Sequence, residues 1–279
     1  MDDLPWPPKR FRLSFLSDRF ETRVAAQAED ELRSKMLRKA ARAHGLPKAK
    51  MLALKLVQQS PGKVPRTMAS SRYMRRHRIK IIGGLLPIAQ RDRGNFKIFT
   101  LINPKWATSL SHLPNVQPRA VMSALRLQLI RLGSERADGW LFAAYHNEFN
   151  EAEQLFYGHV HGIAVDGMAD VIDKLRTRKC YRSARSTGNT STVVDPVFMT
   201  RQPVKGIPYA ISYVLKSYWP RHVDGLTGSR KTRLHEPHHS EVLLWMDRHK
   251  LRDITLLMKL KVGAHGIKRV KKRTPMKQA

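Results

Sequence analysis

Two histidines separated by a single residue have the spacing of a metal site. They lie in the segment Gly158-His159-Val160-His161-Gly162, inside an apolar stretch that predicts a β-strand. Because side chains alternate across a strand, His159 and His161 point to the same face. Two imidazoles on one face, next to small glycines, can bind one divalent metal ion. Such pairs also arise incidentally, so the pair by itself is a weak indication of a metal.

A third metal ligand is predicted on the preceding strand. A polar turn at Asn150 to Glu153 separates residues 140–149 from residues 155–165 and predicts a β-hairpin. A turn of this length would put His146 and Glu148 on the same side as the two histidines. Hairpin register decides which of them is the ligand, and the sequence does not determine register. In the alternative interpretation, Glu148 is an ordinary solvated carboxylate near a turn.

Two tyrosines and a lysine follow at the spacing of one helical face. Tyr209, Tyr213 and Lys216 occupy positions i, i+4 and i+7 of a predicted helix. This helix is expected to run to Trp219, where Pro220 ends it. A phenol can act as a nucleophile and an ammonium can stabilise charge, so the stripe suits phosphoryl chemistry. The alternative is an amphipathic helix that buries two tyrosine rings while the lysine amine extends to solvent.

The elements that must position these side chains are of both kinds. Periodicity and turn signals predict helices at 20–43, 48–58, 118–132, 169–178, 209–219 and 240–258, and strands at 95–103, 140–149, 155–165 and 192–198. Pro104 is expected to end the first strand. The predicted fold class is α+β: a central antiparallel sheet with packed helices, flanked by basic helical extensions. The predicted regions are a basic helical N-terminal arm (1–80), a domain that carries the site (81–225), and a C-terminal helix followed by a flexible basic tail (226–279).

The net charge predicts a polyanionic partner. The 279 residues include 52 lysines and arginines against 22 aspartates and glutamates, which gives a formal net charge of +30 and a pI near 10.9. Nucleic acid is the obvious candidate, because each neutralised phosphate releases counterions and favours binding. The alternatives are a merely soluble basic surface and, more weakly, an anionic membrane surface. The side chains expected to contact DNA phosphates are Arg75, Arg76, Lys179, Lys271, Lys272 and Arg273.

Cysteine content and hydropathy exclude several classes of protein. Cys180 is the single cysteine, so there is no intramolecular disulfide framework and no cysteine-cluster zinc module. The longest apolar run, Ile81 to Ala89, is far shorter than the roughly 20 residues that a membrane-spanning helix needs. The first residues lack the apolar core of a secretory signal. We therefore expect a cytoplasmic protein with no membrane partner and no small-molecule substrate.

Three motifs, in this order, resemble those of the HUH endonucleases, specifically the rolling-circle replication initiators. The strand segment Ile98-Phe99-Thr100-Leu101-Ile102 looks like the first motif, Phe-x-Thr-Leu-Thr, and departs from it at both ends. Gly158-His159-Val160-His161 matches the His-hydrophobic-His motif. Tyr209-x-x-Ser-Tyr213-x-x-Lys216 is similar to the two-tyrosine helix, with Ser212 where a lysine is often found. The resemblance covers roughly residues 95–220, a little under half of the chain.

The resemblance implies sequence-specific nicking and joining of single-stranded DNA to initiate rolling-circle replication of a plasmid or phage. Tyr213 would attack the scissile phosphate, leaving a 5′-phosphotyrosine and a free 3′-hydroxyl. Tyr209 would act in the strand transfer that ends a round, and Lys216 would orient the nucleophile or the metal site. No nucleotide cofactor is needed, because the phosphotyrosine conserves the energy of the broken bond.

The resemblance also implies a cofactor and partners. The metal would be Mg²⁺ or Mn²⁺, although imidazole ligands also suit zinc and other transition metals. The partners would be single-stranded or extruded origin DNA and the host replication machinery. The expected metal ligands are His159, His161 and one of His146 or Glu148.

Two alternative functions stay open at this stage. Conjugative relaxases carry the tyrosine before the histidine motif, whereas here it follows, as in replication initiators and HUH transposases. Two-tyrosine transposases usually carry a cysteine-rich zinc module, which a single cysteine cannot build. Transposition is nevertheless retained. The other alternative is a non-enzymatic nucleic-acid-binding protein whose motif matches are coincidental.

Overall fold

The structure, a computed structural model, describes residues 20–58, 63–92, 94–181, 184–185, 193–203, 206–222, 232–263 and 266–270. It is an α+β fold, as predicted, with several helices packed around a mixed sheet. The helices are α1 (Arg23–Ala43), α2 (Pro47–Val57), α3 (Ser71–Asp92), α4 (Pro118–Arg131), α5 (Gly167–Asp173), α6 (Ile207–Val214), α7 (His238–Arg248) and α8 (Leu251–Ile254). The strands are β1 (Phe96–Ser109), β2 (Leu141–Asn150), β3 (Leu155–Val165), β4 (Ala184–Arg185), β5 (Val193–Val194), β6 (Val197–Gln202), β7 (Pro220–His222), β8 (Thr232–Arg233), β9 (Thr255–Met258), β10 (Leu260–Gly263) and β11 (Gly266–Arg269).

The main sheet is mixed rather than antiparallel throughout. Within the described residues it has seven strands in the order β6-β1-β3-β2-β7-β8, with β9 also paired to β2. Neighbouring strands are antiparallel except β2 and β7, which are parallel. The prediction of an antiparallel sheet is therefore wrong at this edge. In the chain, α6 lies between β6 and β7, which are separated in the sheet by β1, β3 and β2.

The β2–β3 hairpin agrees with the sequence prediction to within one residue at each end. In its turn, the Asn150 side-chain oxygen accepts hydrogen bonds from the backbone N–H groups of Ala152 (2.9 Å) and Glu153 (3.2 Å). An asparagine that binds the backbone two residues later is a common device for closing a turn. The register of the β2–β3 hairpin pairs His146 with His159.

Strand β1 does not end at Pro104, contrary to the prediction. It continues to Ser109, and its register against β3 shifts between Ile102 and Ala107. Proline cannot donate to a strand ladder, and Pro104 lies inside this irregular stretch, where no donor is required. The last predicted strand also differs: residues 193–194 and 197–202 form two separate strands. Helix α5 ends at Asp173 and is followed by a short 3-10 helix.

Helices α1, α2 and α3 share one apolar core with the sheet. Buried Leu37, Leu56 and Ile82, one from each helix, belong to the same cluster as Phe99 and Phe142 of the sheet. Helices α1 and α2 lie close to their predicted bounds. Helix α3 runs continuously through position 80, where the sequence suggested a boundary between arm and domain.

The predicted helix at 240–258 is wrong in its second half. Helix α7 ends at Arg248, a short α8 follows, and residues 255–258 form β9 against β2. Alternate residues of β9 are buried, which is the pattern of a strand with one face on the core. The expected flexible tail from 259 is also wrong up to Val270, since β10 and β11 form a hairpin that places Ile267 against α3 at Gly84. Residues 271–279 lie outside the described residues.

In the part of the chain that the structure describes, no helix is both long and apolar enough to span a bilayer.

Candidate active site

Three histidines on β2 and β3 form one buried cluster. The ring centroids of His159 and His161 are 4.4 Å apart, and the His146 ring lies 5.9 Å from His159 and 5.5 Å from His161. All three side chains are buried. Strand alternation puts His159 and His161 on one face, and the hairpin register brings His146 to the same face from the next strand.

The Nδ1 atoms of the His-x-His pair are held by neighbouring oxygens. His159 Nδ1 lies 3.1 Å from the Tyr157 carbonyl oxygen, and His161 Nδ1 lies 2.8 Å from Thr100 Oγ1. Because a carbonyl only accepts, His159 Nδ1 is the donor, and in a neutral ring with this tautomer Nε2 carries the lone pair. Hydrogen bonds at one ring nitrogen are the usual way in which proteins orient metal-binding imidazoles. The pair therefore fits a divalent metal bound through the Nε2 atoms.

Glycines 158 and 162 are required by packing on the opposite face of β3. A Cβ at 158 would lie 2.7 Å from the Trp106 Cβ, and one at 162 would lie 2.8 Å from the Ala143 Cβ. Both distances are shorter than carbon–carbon contact allows. These glycines let the aromatic core close against β3 behind the histidines.

Tyr213 is brought to the histidine cluster by α6. Its ring centroid is 4.7 Å from that of His161, and the side chain is partly buried. Pro208 lies in the first turn of α6, where its missing N–H costs nothing. At the other end of α6, His146 Nε2 donates a hydrogen bond to the Val214 carbonyl oxygen. That bond attaches the end of the tyrosine helix directly to β2.

Lys216 reaches Tyr213 from outside the helix. The predicted helix to Trp219 is wrong, because α6 ends at Val214 and Leu215 caps it. The i, i+7 argument therefore does not place Lys216. Its Nζ nevertheless lies 3.6 Å from the centre of the Tyr213 ring. A cation at this distance from the ring centre makes a cation–π contact with the tyrosine.

Tyr209 lies one turn before Tyr213 and is much more exposed. Its side chain is 54% exposed and, like Tyr213, it lines a surface cleft of about 580 Å³. The structure thus brings Tyr213, His159 and His161 together, with Tyr209 at the margin of the same region. The alternative of two buried tyrosine rings does not hold for Tyr209.

The register separates the two candidates for the third metal ligand. His146 is paired with His159. Glu148 lies on the same face but two residues nearer the turn, where it is paired with Tyr157. His146 is the nearer of the two to His161, but coordination through its Nε2 would require the bond to Val214 to break. Among the residues that the structure describes, no group of three or more His, Cys, Asp and Glu side chains is arranged to hold a metal ion.

The predicted DNA contacts fall in different surroundings. Arg75 is partly buried, with its Nε 2.7 Å from the Glu21 carbonyl oxygen, and Arg76 is also partly buried. Lys179 is exposed. The other three, Lys271, Lys272 and Arg273, lie outside the described residues.

Sequence reasoning missed two buried arginines beside the tyrosine helix. Arg33 of α1 is only 1% exposed and donates to the carbonyl oxygens of Ala69 (2.8 Å) and Ser217 (2.9 Å). Arg78 of α3 contacts the Leu215 carbonyl oxygen (3.4 Å) and pairs with Glu21. Burial lowers the pKa of Arg78, and Glu21 opposes that shift; an arginine remains cationic all the same.

Nothing in the sequence singled out these two arginines. The segment from 72 to 80, which contains Arg78, is densely basic, but charge density does not distinguish a DNA-facing arginine from a buried one. Only the packing of α1 and α3 against residues 215–217 shows that Arg33 and Arg78 are buried.

No protein-family model matches this chain, and neither a curated protein nor a solved structure is significantly similar to it. The likeness to HUH endonucleases therefore depends on the three sequence motifs alone.

Proposed function

We propose that this protein nicks and joins single-stranded DNA through a covalent bond to Tyr213. The observation that carries the proposal is the convergence of three groups at one point. The Tyr213 ring centroid lies 4.7 Å from that of His161 and 3.6 Å from Lys216 Nζ. A phenol, an imidazole pair and an ammonium are the groups that transfer of a phosphoryl group to a tyrosine can use as nucleophile, metal ligands and charge stabiliser.

The proposed reaction is an in-line displacement at phosphorus. The Tyr213 oxygen loses its proton and forms a bond to the phosphorus, while the bond from phosphorus to the 3′ oxygen breaks. The 3′ oxygen takes up a proton and leaves as a hydroxyl, and the 5′ end stays on the protein as a phosphotyrosine. Joining is the reverse attack by a 3′-hydroxyl.

The protein side chains have separate parts in this reaction. Lys216 stabilises negative charge on the phenol oxygen as its proton leaves. His146 holds the end of α6 against the sheet and so positions Tyr213. His159 and His161 would hold a divalent ion, Mg²⁺ or Mn²⁺, which neutralises phosphate charge when bound. Tyr209, exposed one turn away, is positioned for a second strand-transfer step.

Initiation of rolling-circle replication is the biological role that we propose for this chemistry. The order of the motifs favours it over a conjugative relaxase, and the single cysteine favours it over a two-tyrosine transposase. The net charge of +30 fits a DNA substrate. A free 3′-hydroxyl at the nick is a primer for synthesis, which is what an initiator must supply.

The test is a cleavage assay on single-stranded DNA from the parent replicon, with Mn²⁺ or with chelator. We expect a protein–DNA adduct that forms with Mn²⁺, is absent with chelator and is lost in Tyr213→Phe. The matched control is Tyr209→Phe, which should still form the first adduct. Intact DNA binding without an adduct under any condition would reject the nuclease in favour of a plain binding protein.

A further inference from the structure

The cleft beside Tyr213 is lined by the tyrosine motif and by parts of the chain outside the three motifs. Helices α1 and α3 form one wall, and α7 with residues 233–234 forms another. Tyr213 and Lys216 lie at the place where the cleft meets the histidine cluster. We call it the arginine cleft, after Arg33, Arg78 and Arg233 in its lining.

Cations outnumber carboxylates among the described residues of the arginine cleft. Its lining includes the three arginines and Lys216, against Glu21 and Glu29. Glu29 is shared between Arg33 (2.8 Å) and Arg233 (2.6 Å), and Glu21 pairs with Arg78. The two carboxylates hold the arginines in place but do not balance the charge, so the lining residues that the structure describes carry a surplus of two positive charges. Such a surplus in a concave site favours a phosphate.

Aromatic side chains at the cleft supply the second part of a nucleotide site. Tyr218 is 45% exposed and Tyr209 is 54% exposed, although both belong to an otherwise buried part of the chain. Nucleic-acid bases stack on exposed aromatic rings with little dependence on sequence. A volume of about 580 Å³ is in the range of pockets that bind a small organic molecule.

We propose that the arginine cleft binds a nucleotide of the single-stranded DNA adjacent to the scissile phosphate. This inference rests on the proposed function and extends it to the N-terminal helices. A backbone phosphate contacts Arg233 and Lys216, and the neighbouring base stacks on Tyr218. Arg33 and Arg78 are too buried to be the main contacts; they position the wall and contribute their charge.

Arg233 has a matched control in Arg176. The Arg233 side chain is 37% exposed and pairs with a carboxylate of α1; the Arg176 side chain is 39% exposed and pairs with Asp173 and Asp195 away from the cleft. Arg233→Gln and Arg176→Gln therefore remove the same charge from similar surroundings.

The experiment measures binding of a short fluorescein-labelled oligothymidylate by anisotropy, with chelator present, across a series of salt concentrations. A lost phosphate contact reduces the salt slope of binding to a single strand by about 0.7. We expect that reduction, and several-fold weaker binding, for Arg233→Gln but not for Arg176→Gln. Tyr218→Ala should weaken binding at least about fivefold, and Tyr218→Phe should restore it.

Equal effects of the two arginine variants, or full binding by Tyr218→Ala, would overturn the cleft proposal. If Arg233→Gln does not fold, the two Tyr218 variants decide the question. The proposed function fails in a different way. If it is wrong, the unaltered protein forms no covalent adduct, but the oligonucleotide still binds in the cleft.

Discussion

The contact between Thr100 and His161 joins two sequence motifs through a single pair of atoms. Thr100 is the middle residue of the first motif, and β1–β3 pairing puts it directly opposite His161. Its Oγ1 lies 2.8 Å from Nδ1 of that ring. The threonine thus has a physical part in orienting the imidazole, which the sequence resemblance alone did not assign.

Thr100→Val removes the hydroxyl and keeps the shape of the side chain. We expect the affinity for Mn²⁺, measured by electron paramagnetic resonance, to fall about 10- to 100-fold, because the His161 ring loses its orienting partner. Thr108→Val, on the same strand but facing no histidine, is the control and should bind the ion normally. An unchanged affinity in Thr100→Val would mean that the contact does not support a metal ligand.

A substitution at His146 tests whether this residue positions α6 or binds the metal ion. His146→Phe keeps a ring of similar size but removes the donor to the Val214 carbonyl oxygen. If His146 positions α6, unfolding in urea should show a loss of about 1–3 kcal/mol, with little change in the affinity for Mn²⁺. A tenfold or larger loss of Mn²⁺ affinity at unchanged stability would instead identify His146 as the third ligand.

At the scale of elements, local patterns predicted the β2–β3 hairpin better than they predicted the elements around it. The β2–β3 hairpin follows from alternating side chains and a polar turn, so both strands and the shared face of His159 and His161 could be predicted. The end of α6 could not, because residues 215–217 leave the helix to meet Arg33 and Arg78 from distant helices. Residues 255–258 likewise form a strand because β2 offers them an edge. Tertiary contacts decided both cases.

Arg33 is the clearest test of how the N-terminal helices are attached. It links α1 to Ala69 and Ser217, and its side chain is almost fully buried. Arg33→Met should reduce the free energy of unfolding by about 3 kcal/mol, because two carbonyl oxygens and Glu29 lose their donor. Arg38→Met, at an exposed position of the same helix, should change it by less than about 0.5 kcal/mol. Equal effects in chemical denaturation would contradict this account of α1.

At the scale of the whole molecule, the charge of the chain is only partly available for DNA. The composition predicted a polyanionic partner, but it could not tell which cations neutralise carboxylates within the fold. Arg72 is paired with buried Asp30 (3.1 Å), and Lys55 is paired with Asp247 (2.5 Å). These ion pairs connect segments far apart in sequence, so no local pattern could reveal them.

The whole molecule should also lose stability in mild acid. Burial lowers the pKa of His238, His239 and His249; Arg33 and Arg233 act in the same direction on His239, and Glu236 opposes them. The unfolded chain therefore binds more protons than the native protein, so stability falls as the pH drops through about 6.5, the ordinary histidine value. Unfolding in denaturant at several pH values between 5 and 8 measures the slope.

His239→Gln should make that slope shallower, because one proton-binding group is removed from the unfolded chain. An unchanged slope would show that His239 does not contribute to it. Stability that rises as the pH falls through this range would contradict the direction of all three shifts.

The most direct test of the central claim is to identify the amino acid that carries the DNA. A trapped adduct can be digested with nuclease and trypsin, and the peptide from Gly206 to Lys216 contains both tyrosines of α6. Fragmentation in a mass spectrometer then locates the nucleotide. The account predicts a 5′-phosphate linked to Tyr213. A nucleotide on Tyr209 or on a residue outside this peptide, or the absence of an adduct on DNA that the protein binds, would contradict it.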